Sequence, residues 1–394
     1  MSFRLTALGD ICQVTTGQSA PQETDAFGDR GTPFVRAGSL EKLCSGGSEG
    51  GLELVSAENA KKFKLKIYPE NTVIFAKSGM SAAVGRVYRL RRSCHLVSHL
   101  AAVIPSERID ASYLHRWLEF SPPSRLIENE AYPSIKTSVL QQLKVPLPSV
   151  PEQRRIANIL DKADVLRARR RAAITKLDRL LQSVFIEMFG DPVMNSKGWA
   201  IGSLSAHGSF KNGLNFGKDE GGVTVRYVGV GDFKSKAALK DFGSLAFVEL
   251  NEIPADDYFL RDGDLLFVRS NGNRELVGRC MAVYPEMEKV TYSGFCIRYR
   301  IADASLQATY VAHLFRSVAF RRVIFQGGQG ANIQNINQQT LSKLPIPIPD
   351  EGLQSQFADI VEKIEAQKQI MRRAAEKSDA FFASLQQLAF SGKL

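Results

Sequence analysis

The 394-residue sequence has little that would tie it to a membrane or to an oxidising compartment. No apolar run is long enough to span a bilayer, and the first residues, MSFRLTALGDICQ, lack the basic, apolar and small-residue succession of a signal peptide. The five cysteines form no CxxC pair, and an odd number in so long a chain argues against a disulfide framework. We therefore expect a cytoplasmic protein with free thiols.

What the chain does have is enough apolar content for large cores and an excess of positive charge. Hydrophobic residues make up 44% of the sequence, and the length favours two or three domains over one. The formal net charge is +10 at pH 7. This balance favours a polyanionic partner such as nucleic acid, although many basic proteins bind none.

The sequence contains an internal repeat of about two hundred residues. LKVPLPSVPEQRRIANIL, beginning at Leu143, matches LPIPIPDEGLQSQFADIV, beginning at Leu344, with a constant offset of 201. Upstream, FVRAGSL at Phe34 aligns with YVGVGDF at Tyr227, and the segment at 84–86 aligns with 277–279, both offset by 193. The order and near-constant offset of these matches indicate a duplicated fold.

Each half reads as a mixed domain followed by a long helix, which predicts the α+β class. The runs at 71–76, 264–268 and 295–301 are rich in β-branched and aromatic residues and predict strands, whereas 111–120 and 308–325 predict helices. In the last of these strands, the apolar residues Phe295, Ile297, Tyr299 and Ile301 alternate with a set that includes Arg298 and Arg300. This alternation predicts one apolar and one basic face.

The first long helix has recognisable start and stop signals. Ser149 with Glu152 has the form of a capping box, and Gly190 before Asp-Pro is a stop. The intervening run of about 38 residues would be roughly 57 Å long. An ordinary core helix of such a domain would be far shorter.

The two long helices share one heptad register, which predicts a common seam. The predicted seam residues are Ile156, Leu160, Ala163, Ile174, Leu177, Leu181, Val184, Met188, Phe357, Val361, Ile364, Met371, Phe382 and Leu385. Arg167, Arg170 and Lys368 fall on the same stripe. We interpret them as a solvated break or as stems reaching outward, in preference to an anion or partner site. Phe381 and Leu388 are expected to widen the second helix's seam.

A repeat related by an approximate twofold axis would pack the helices antiparallel. Such a pair would hold two unlike globular domains apart in opposite orientations. On DNA, two unlike readers predict a bipartite and asymmetric target.

Three segments contain distinctive helix motifs: PLPSVPEQRRIANILDKAD, LLQSVFIEMFGDPVMNSKGW and the terminal AFSGKL. These motifs resemble those of the specificity (S) subunits of type I restriction-modification enzymes. The domain–helix–domain–helix layout covers essentially the whole chain. One departure is PDEGLQSQF, where only Gln354 matches Pro151-Glu152-Gln153, so the second helix is expected to contact its partner subunit differently.

The resemblance implies two target-recognition domains, at 1–148 and 191–349, and two conserved helical regions, at 149–190 and 350–394, that form an antiparallel coiled coil. It also implies that this chain binds double-stranded DNA and is itself noncatalytic. Methylation would belong to two modification subunits that use S-adenosylmethionine, and cleavage to restriction subunits that use ATP and Mg²⁺. We expect no catalytic residue, cofactor or metal in this chain.

Candidate DNA contacts are arginine, lysine and asparagine residues in the two domains, because these side chains bond phosphates and base edges. They are Arg36, Lys77, Arg86, Arg89, Arg91 and Arg92 in the first half, and Arg226, Arg269, Asn271, Asn273, Arg274 and Arg279 in the second. Charged loops are more often merely solvated. Each assignment is therefore a hypothesis.

Two other functions remain open at this point. The chain could be a standalone adenine-specific DNA methyltransferase, because Tyr227 to Gly231 resembles an aromatic-x-Gly-x-Gly cofactor loop. However, the equivalent segment at 34–38 lacks the first glycine, and no Asn/Asp-Pro-Pro-aromatic motif occurs, so we interpret the loop as a strand edge. No Walker A sequence is present either. The other alternative is a coiled-coil scaffold without a role on DNA.

The remaining motifs predict neither a metal site nor a nucleophile. His95 and His99 are four residues apart, but on a strand they would lie about 13 Å from each other, too far for one zinc ion. Gly327 to Gly330 is interpreted as a turn.

Overall fold

The computed structural model describes residues 3–217, 221–233, 236–273, 275–326 and 335–394. The chain forms two compact units, one comprising residues 1–170 and 374–394, the other residues 171–373. Each unit therefore combines a globular part with segments of both long helices. The predicted turn at Gly327 to Gly330 lies outside the described residues.

The first unit is built from short strands and helices that precede a long helix. Its strands are β1 (Leu5–Ala7), β2 (Cys12–Thr16), β3 (Thr32–Val35), β4 (Leu54–Val55), β5 (Val73–Ala76), β6 (Val87–Arg89), β7 (His95–Leu96), β8 (Leu100–Pro105) and β9 (Lys144–Pro146). Its helices are α1 (Ser39–Cys44), α2 (Ala57–Lys62), α3 (Met80–Ala83), α4 (Ala111–Phe120), α5 (Thr137–Gln142) and the first part of α6 (Val150–Phe189).

The second unit repeats this plan. Its strands are β10 (Ala200–Ser203), β11 (Gly208–Asn212), β12 (Val223–Val228), β13 (Ala238–Leu239), β14 (Phe247–Leu250), β15 (Asp264–Val268), β16 (Cys280–Val283), β17 (Val290–Tyr292), β18 (Cys296–Ile301) and β19 (Pro345–Ile348). Its helices are α7 (Leu204–His207), α8 (Ala308–Arg316), α9 (Val318–Gln326), α10 (Gln338–Ser342) and the first part of α11 (Glu351–Phe390).

The sheets of the two units have matching topology. The first unit has an antiparallel sheet of order β2-β8-β5-β6, and the second has β11-β18-β15-β16 with β13 added at the edge. In each unit a second sheet has a central strand, β3 or β12, that is antiparallel to one neighbour and parallel to the other. Gly85 and Gly278 each have a φ of 71° immediately before β6 and β16, a backbone conformation that glycine adopts without strain. The predicted duplication and the α+β class are confirmed.

Both faces of the central strands are covered, so both faces carry apolar residues, apart from Asp264 at the start of β15. In the first unit, Val73 and Phe75 of β5 pack with α4 and the start of α6. Ile74 and Ala76 of the same strand pack with Phe34 in the other layer. In the second unit Leu265 and Phe267 face the α8 layer, while Leu266 and Val268 face the β12–β17 layer.

The structure corrects the predicted strand at 295–301. The strand begins at Cys296, and Phe295 is exposed. The predicted basic face is not solvent-facing either, because Arg298 is buried. Arg300 is bidentate on the buried Asp264, with distances of 2.7 and 2.6 Å. Alternation alone could not show that both faces of this strand are covered.

The helix predicted at 308–325 is two helices, α8 and α9, separated at Ser317. The Ser317 hydroxyl accepts a hydrogen bond from the Phe320 amide. A serine that bonds the third following amide caps a new helix, which accounts for the break.

In each unit the early part of one long helix packs against the late part of the other, so the two run antiparallel, as predicted. Ile156 and Leu160 share a buried cluster with Phe382 and Ala389 in the first unit. The corresponding cluster of the second unit contains Leu181, Phe357 and Val361, with Val184, Met188 and Ile364 at its margin. Ala163 and Leu385 lie at the margin of the first cluster, and Ile174, Leu177 and Met371 are half-buried.

The seam deviates from the strict heptad pattern at two places. Phe185 and Phe189 are buried, whereas their neighbours Val184 and Met188, which the pattern selects, are only half-buried. Phe381 and Leu388 are exposed, so the expectation that they widen the seam is wrong. Ala389, at a position of the strict pattern, is fully buried instead.

The seam cations form ion pairs, contrary to the interpretation of a solvated break. Arg167 Nε lies 2.7 Å from Asp379, and Lys368 Nζ lies 2.6 Å from Asp178. The two pairs are related by the repeat offset of 201. Lys368 is only 4% exposed. Arg170, by contrast, is exposed and lies off the seam.

Candidate nucleic-acid interface

A buried glutamine joins each long helix to its globular part. The Gln153 side chain accepts a hydrogen bond from the Asp110 amide and donates to the carbonyls of Arg108 and Pro148. Gln354 makes the same three bonds to residues 307, 305 and 349. Because three backbone groups depend on each amide, these glutamines fix how the helix leaves the globular fold.

Glu152 does not close the predicted capping box. Its carboxylate accepts two hydrogen bonds from the Arg155 guanidinium, each 2.8 Å long. These bonds lower the pKa of Glu152. The shared element of the two helix starts is therefore the glutamine, although the second helix lacks the Pro-Glu that precedes it in the first.

Lys77 and Arg269 occupy equivalent positions, directly after the central strands β5 and β15. The Lys77 amide donates to the His99 carbonyl, and the Lys77 carbonyl accepts from Ile135. Arg269 makes the same backbone bonds with Phe295 and Ile336. The repeated fold thus presents one basic side chain at the same place in each unit.

Beside this position the second unit has an open cleft of about 770 Å³. Its lining combines aromatic, amide and glycine residues: Phe216, Tyr227, Gly229, Val230, Gly231, Asp232, Ala246, Ser270, Asn271, Gly272, Ser293, Phe295 and Asn335. The Phe216 and Tyr227 rings meet edge to face, 5.0 Å apart. Phe295 is 61% exposed. Exposed rings can stack on bases, and asparagine amides can bond their edges.

The loop that resembles a methyltransferase motif lies in this cleft. It follows the end of β12, which is paired on both sides. The Gly229 amide donates to the Asp232 carboxylate at 2.8 Å, so the loop closes on itself as a strand-end turn.

The corresponding part of the first unit carries different side chains. Arg36, equivalent to Gly229 by the offset of 193, bonds Glu53 at 2.7 Å and stacks over Phe27, 4.9 Å from the ring centroid. His99, equivalent to Phe295, lies 2.8 Å from the Ser78 hydroxyl. A cation and an imidazole therefore stand where the second unit has a bare backbone and a phenyl ring.

The other candidates of the first unit are dispersed. Arg86 lies 3.5 Å from Glu41, and Arg89 donates to the Ser112 hydroxyl, so both are engaged within the fold. Arg91 and Arg92 are exposed after β6.

In the second unit, Arg226 pairs with Glu288 at 2.6 Å and lies over Phe247. Asn273 is exposed, and Arg279 lines a different cavity. Arg274 lies outside the described residues. Sequence reasoning missed Phe216 and Asn335 altogether and placed Phe295 on an apolar strand face.

The histidines of the first unit do not assemble a metal site. His95 Nδ1 lies 2.7 Å from the Lys66 carbonyl, while His99 contacts Ser78. Within the described part of the chain, no group of three or more His, Cys, Asp or Glu residues could hold a metal ion. Burial raises the pKa of Cys12 and of Cys94 to about 12, so both thiols stay protonated.

Comparison with protein families identifies both halves of the chain. The family described as "Type I restriction modification DNA specificity domain" matches residues 3–176 and 211–377. The StySPI specificity subunit of Salmonella potsdam is 25% identical over 394 residues, covering 92% of this chain and 82% of the relative. The EcoKI specificity subunit of Escherichia coli K12 is 24% identical over 367 residues, covering 84% and 74%.

Solved structures share the fold. The type I S subunit from M. genitalium superposes with a TM-score of 0.57 at 14% identity, covering 98% of this chain and 96% of that one. A chain from a structure of type I R-M complex assembly and conformational transition gives 0.61 at 15% identity, covering 100% and 98%. No described helix is long and apolar enough to cross a membrane. The family model matches two segments that together cover most of the chain. The chain therefore belongs to the type I restriction-modification DNA specificity family.

Proposed function

We propose that this chain is the sequence-recognition subunit of a type I restriction-modification complex. The observation that carries the proposal is the duplicated fold, whose equivalent positions hold different side chains. Lys77 and Arg269 occupy the same place after equivalent strands, yet His99 stands beside one and Phe295 beside the other. Two copies of one reading surface with unlike chemistry suit a target with two unlike halves.

Each part of the site has a distinct role on DNA. Lys77 and Arg269 bind phosphates of the duplex and so position it. A phosphate contact of this kind does not depend on the base sequence. The variable neighbours, Arg36 and His99 in one unit and Asn271 and Phe295 in the other, read the bases. The target is therefore bipartite and asymmetric.

The chain acts with partners and supplies no catalytic group itself. The relatives are named as specificity subunits of restriction enzymes, which supports association with modification and restriction subunits. Two modification subunits transfer the methyl group from S-adenosylmethionine, and the restriction subunits use ATP and Mg²⁺. Assembly takes place in the cytoplasm, where these cofactors and the DNA are present.

The test is to measure the affinity of the wild-type, Lys77→Ala and Arg269→Ala chains for duplex DNA across salt concentrations, and to map methylated adenines in cells that carry the modification subunit with each chain. Each variant should weaken duplex binding about tenfold and reduce the salt slope by about one, because one phosphate contact is lost. Lys144→Ala and Lys343→Ala remove exposed lysines elsewhere in the same units. These control variants should bind as the wild type does.

Three results would contradict the proposal. Binding that does not change with salt would favour a scaffold without a DNA role. Transfer of label from S-adenosylmethionine to DNA by the purified chain alone would identify a standalone methyltransferase. Equal losses in the Lys144→Ala and Lys343→Ala controls would show that the effect is only a change in net charge.

A further inference from the structure

A second cavity lies wholly within the second unit, and Arg279 is the one candidate DNA contact in its described lining. It has a volume of about 880 Å³ and is lined by α6, α8, α9 and α11. This volume falls within the range of small-molecule sites, which are roughly 300 to 1,000 Å³. A cavity of this size could hold a ligand as large as a nucleotide.

The cavity has a large excess of positive charge. Its lining includes Arg279, Arg316, Arg321, Arg322 and Lys368 against two carboxylates, Asp178 and Glu365. Both carboxylates pair with Lys368, at 2.6 and 2.5 Å. Both also attract Arg316, and the five cations of the lining exceed the two carboxylates by three charges.

The arginines are held close together in spite of their repulsion. The pKa values of Arg316 and Arg321 are lowered, mainly because the two groups are buried. The charge of Arg279 lowers both pKa values further. Arg321 donates to the Glu275 carbonyl at 2.8 Å, and Arg279 donates to the same oxygen at 3.1 Å. Half-buried guanidinium groups clustered in this way, two of them held by one carbonyl oxygen, can bind a phosphate in a bidentate manner.

The α9 terminus adds to the lining, and α6 contributes apolar side chains to it beside Asp178 and Gln182. The α9 helix begins at Val318, so the positive end of its dipole faces the cavity together with Ser317 and Ala319. Leu181, Phe185 and Ile186 of α6 form the apolar side. Such a division suits a ligand with an anionic end and a flat or apolar end.

One nitrogen of an imidazole at the cavity is buried without a hydrogen-bond partner among the described residues. His313 lines the cavity, and none of the described residues offers its buried Nε2 a hydrogen bond. Burial lowers the pKa of His313 to about 3, so the ring is neutral and can donate or accept. An unsatisfied buried nitrogen is costly unless a ligand or water completes it.

The first unit closes the same place with its own side chains. Arg116 and Glu119 are equivalent to His313 and Arg316, since Tyr113 and Tyr310 make the same bond to Pro146 and Pro347. Arg116 bonds Glu119, Asp161 and Asp164. The repeated fold alone does not require the cationic cavity, which is a property of the second unit.

We propose that this cavity binds a phosphorylated small molecule of nucleotide size, with the phosphate on Arg279, Arg316 and Arg321 and the ring against α6. Through this site, a cellular metabolite would regulate the activity of the restriction-modification complex, independently of the DNA sequence. The guanidinium groups next to His313 are recessed, whereas a duplex offers its phosphates only to a surface that it can approach broadly.

The probe is ADP, titrated into the full-length chain by calorimetry. ADP should bind at least tenfold more tightly than either adenosine or inorganic phosphate, because the two walls act on one ligand. Arg316→Gln and Arg321→Gln should each weaken ADP binding about tenfold, which corresponds to about 1.4 kcal/mol. Arg86→Gln is the matched control, since Arg86 is the repeat counterpart of Arg279. It should leave ADP affinity unchanged.

Three outcomes would overturn the proposal: no ADP binding to the wild-type chain at about 1 mM, an equal loss in Arg86→Gln, or full displacement of ADP by a duplex. The last would assign the cavity to a DNA phosphate. Unchanged ADP binding in Arg316→Gln and Arg321→Gln would refute the site as well. Hydrogen exchange across α8 in both variants ensures that a loss of affinity is not a loss of folding. Failure of this site would leave the DNA-recognition test unaffected.

Discussion

Arg116 in the first unit and His313 in the second stand at the same position of a repeated fold, but their surroundings differ in charge. Arg116 is held by three carboxylates, two of them on α6. His313 is neutral and lies beside Arg316, which replaces the glutamate at the equivalent position. The comparison shows that the backbone plan is shared while the junction between globular part and long helix is chemically specific to each unit.

The largest expected effect that would sharpen this comparison is the loss of the Arg116 network. Arg116→Met should destabilise the first unit by about 2 to 3 kcal/mol, because Glu119 and Asp161 lose their buried cation, while Asp164 keeps its ion pair with Arg167. Hydrogen exchange of peptides from α4 measures the change locally, which is preferable in a chain with two compact units.

The matched variant is His313→Met, which removes a neutral ring and breaks no ion pair. The free energy of opening of α8, measured by hydrogen exchange, should change by less than about 1 kcal/mol. If α8 were destabilised as strongly as α4 is by Arg116→Met, the two junctions would be energetically alike and the comparison would fail.

A somewhat smaller effect is expected from pH. The pKa of His313 is lowered to about 3 by burial and by the charges of Arg316 and Lys368. Since this pKa lies below the ordinary value, the neutral ring stabilises the fold above pH 6.5, and that stability is lost as the pH falls toward 3. Between pH 7 and pH 5 the second unit should lose about 2 kcal/mol.

The measurement is α8 exchange at the two pH values, corrected for the intrinsic rate, in the wild type and in His313→Gln. His115 on α4 also has a lowered pKa, caused mainly by burial, so the variant is a better reference than the first unit. An identical pH dependence in wild type and variant would exclude His313 as its source.

The smallest effect is expected at the seam cations. Arg167→Met and Lys368→Met should each change stability by less than about 1 kcal/mol, because Asp379 and Asp178 are partly exposed and can be rehydrated while methionine packs in the seam. Urea unfolding of each variant measures this. A loss above about 3 kcal/mol in either would show that the cross-helix ion pairs are required for folding.

The repeat and the long helices could be predicted because their signals are local. The glutamine at a fixed offset, Gly85 with Gly278, and the apolar runs each reflect a backbone requirement that recurs in both units. Whether a basic strand face is exposed or covered could not be predicted in this way. Arg298 and Arg300 alternate with apolar residues, and only the tertiary fold shows that Asp264 covers one of them.

The candidate site was predictable only in part for the same reason. Lys77 and Arg269 lie at strand ends, which a sequence can indicate. Arg279 also lies at a strand end and is a candidate DNA contact by the same reasoning. In the structure, however, it lines a cavity together with residues of α9. Phe295 was expected to lie inside, since alternation gives the period of a strand and not the residue at which it begins.

The antiparallel pairs β1–β9 and β10–β19 bring the chain out of each globular part beside the point where it entered. The chain between those two short strands therefore enters and leaves at one narrow neck, and it also contacts the long helices through α4 or α8. Insertions and deletions that spare the two strands and these contacts leave the neck unaltered. A lineage that must change its DNA target often could therefore rewrite one reading surface without rebuilding the helices that carry it.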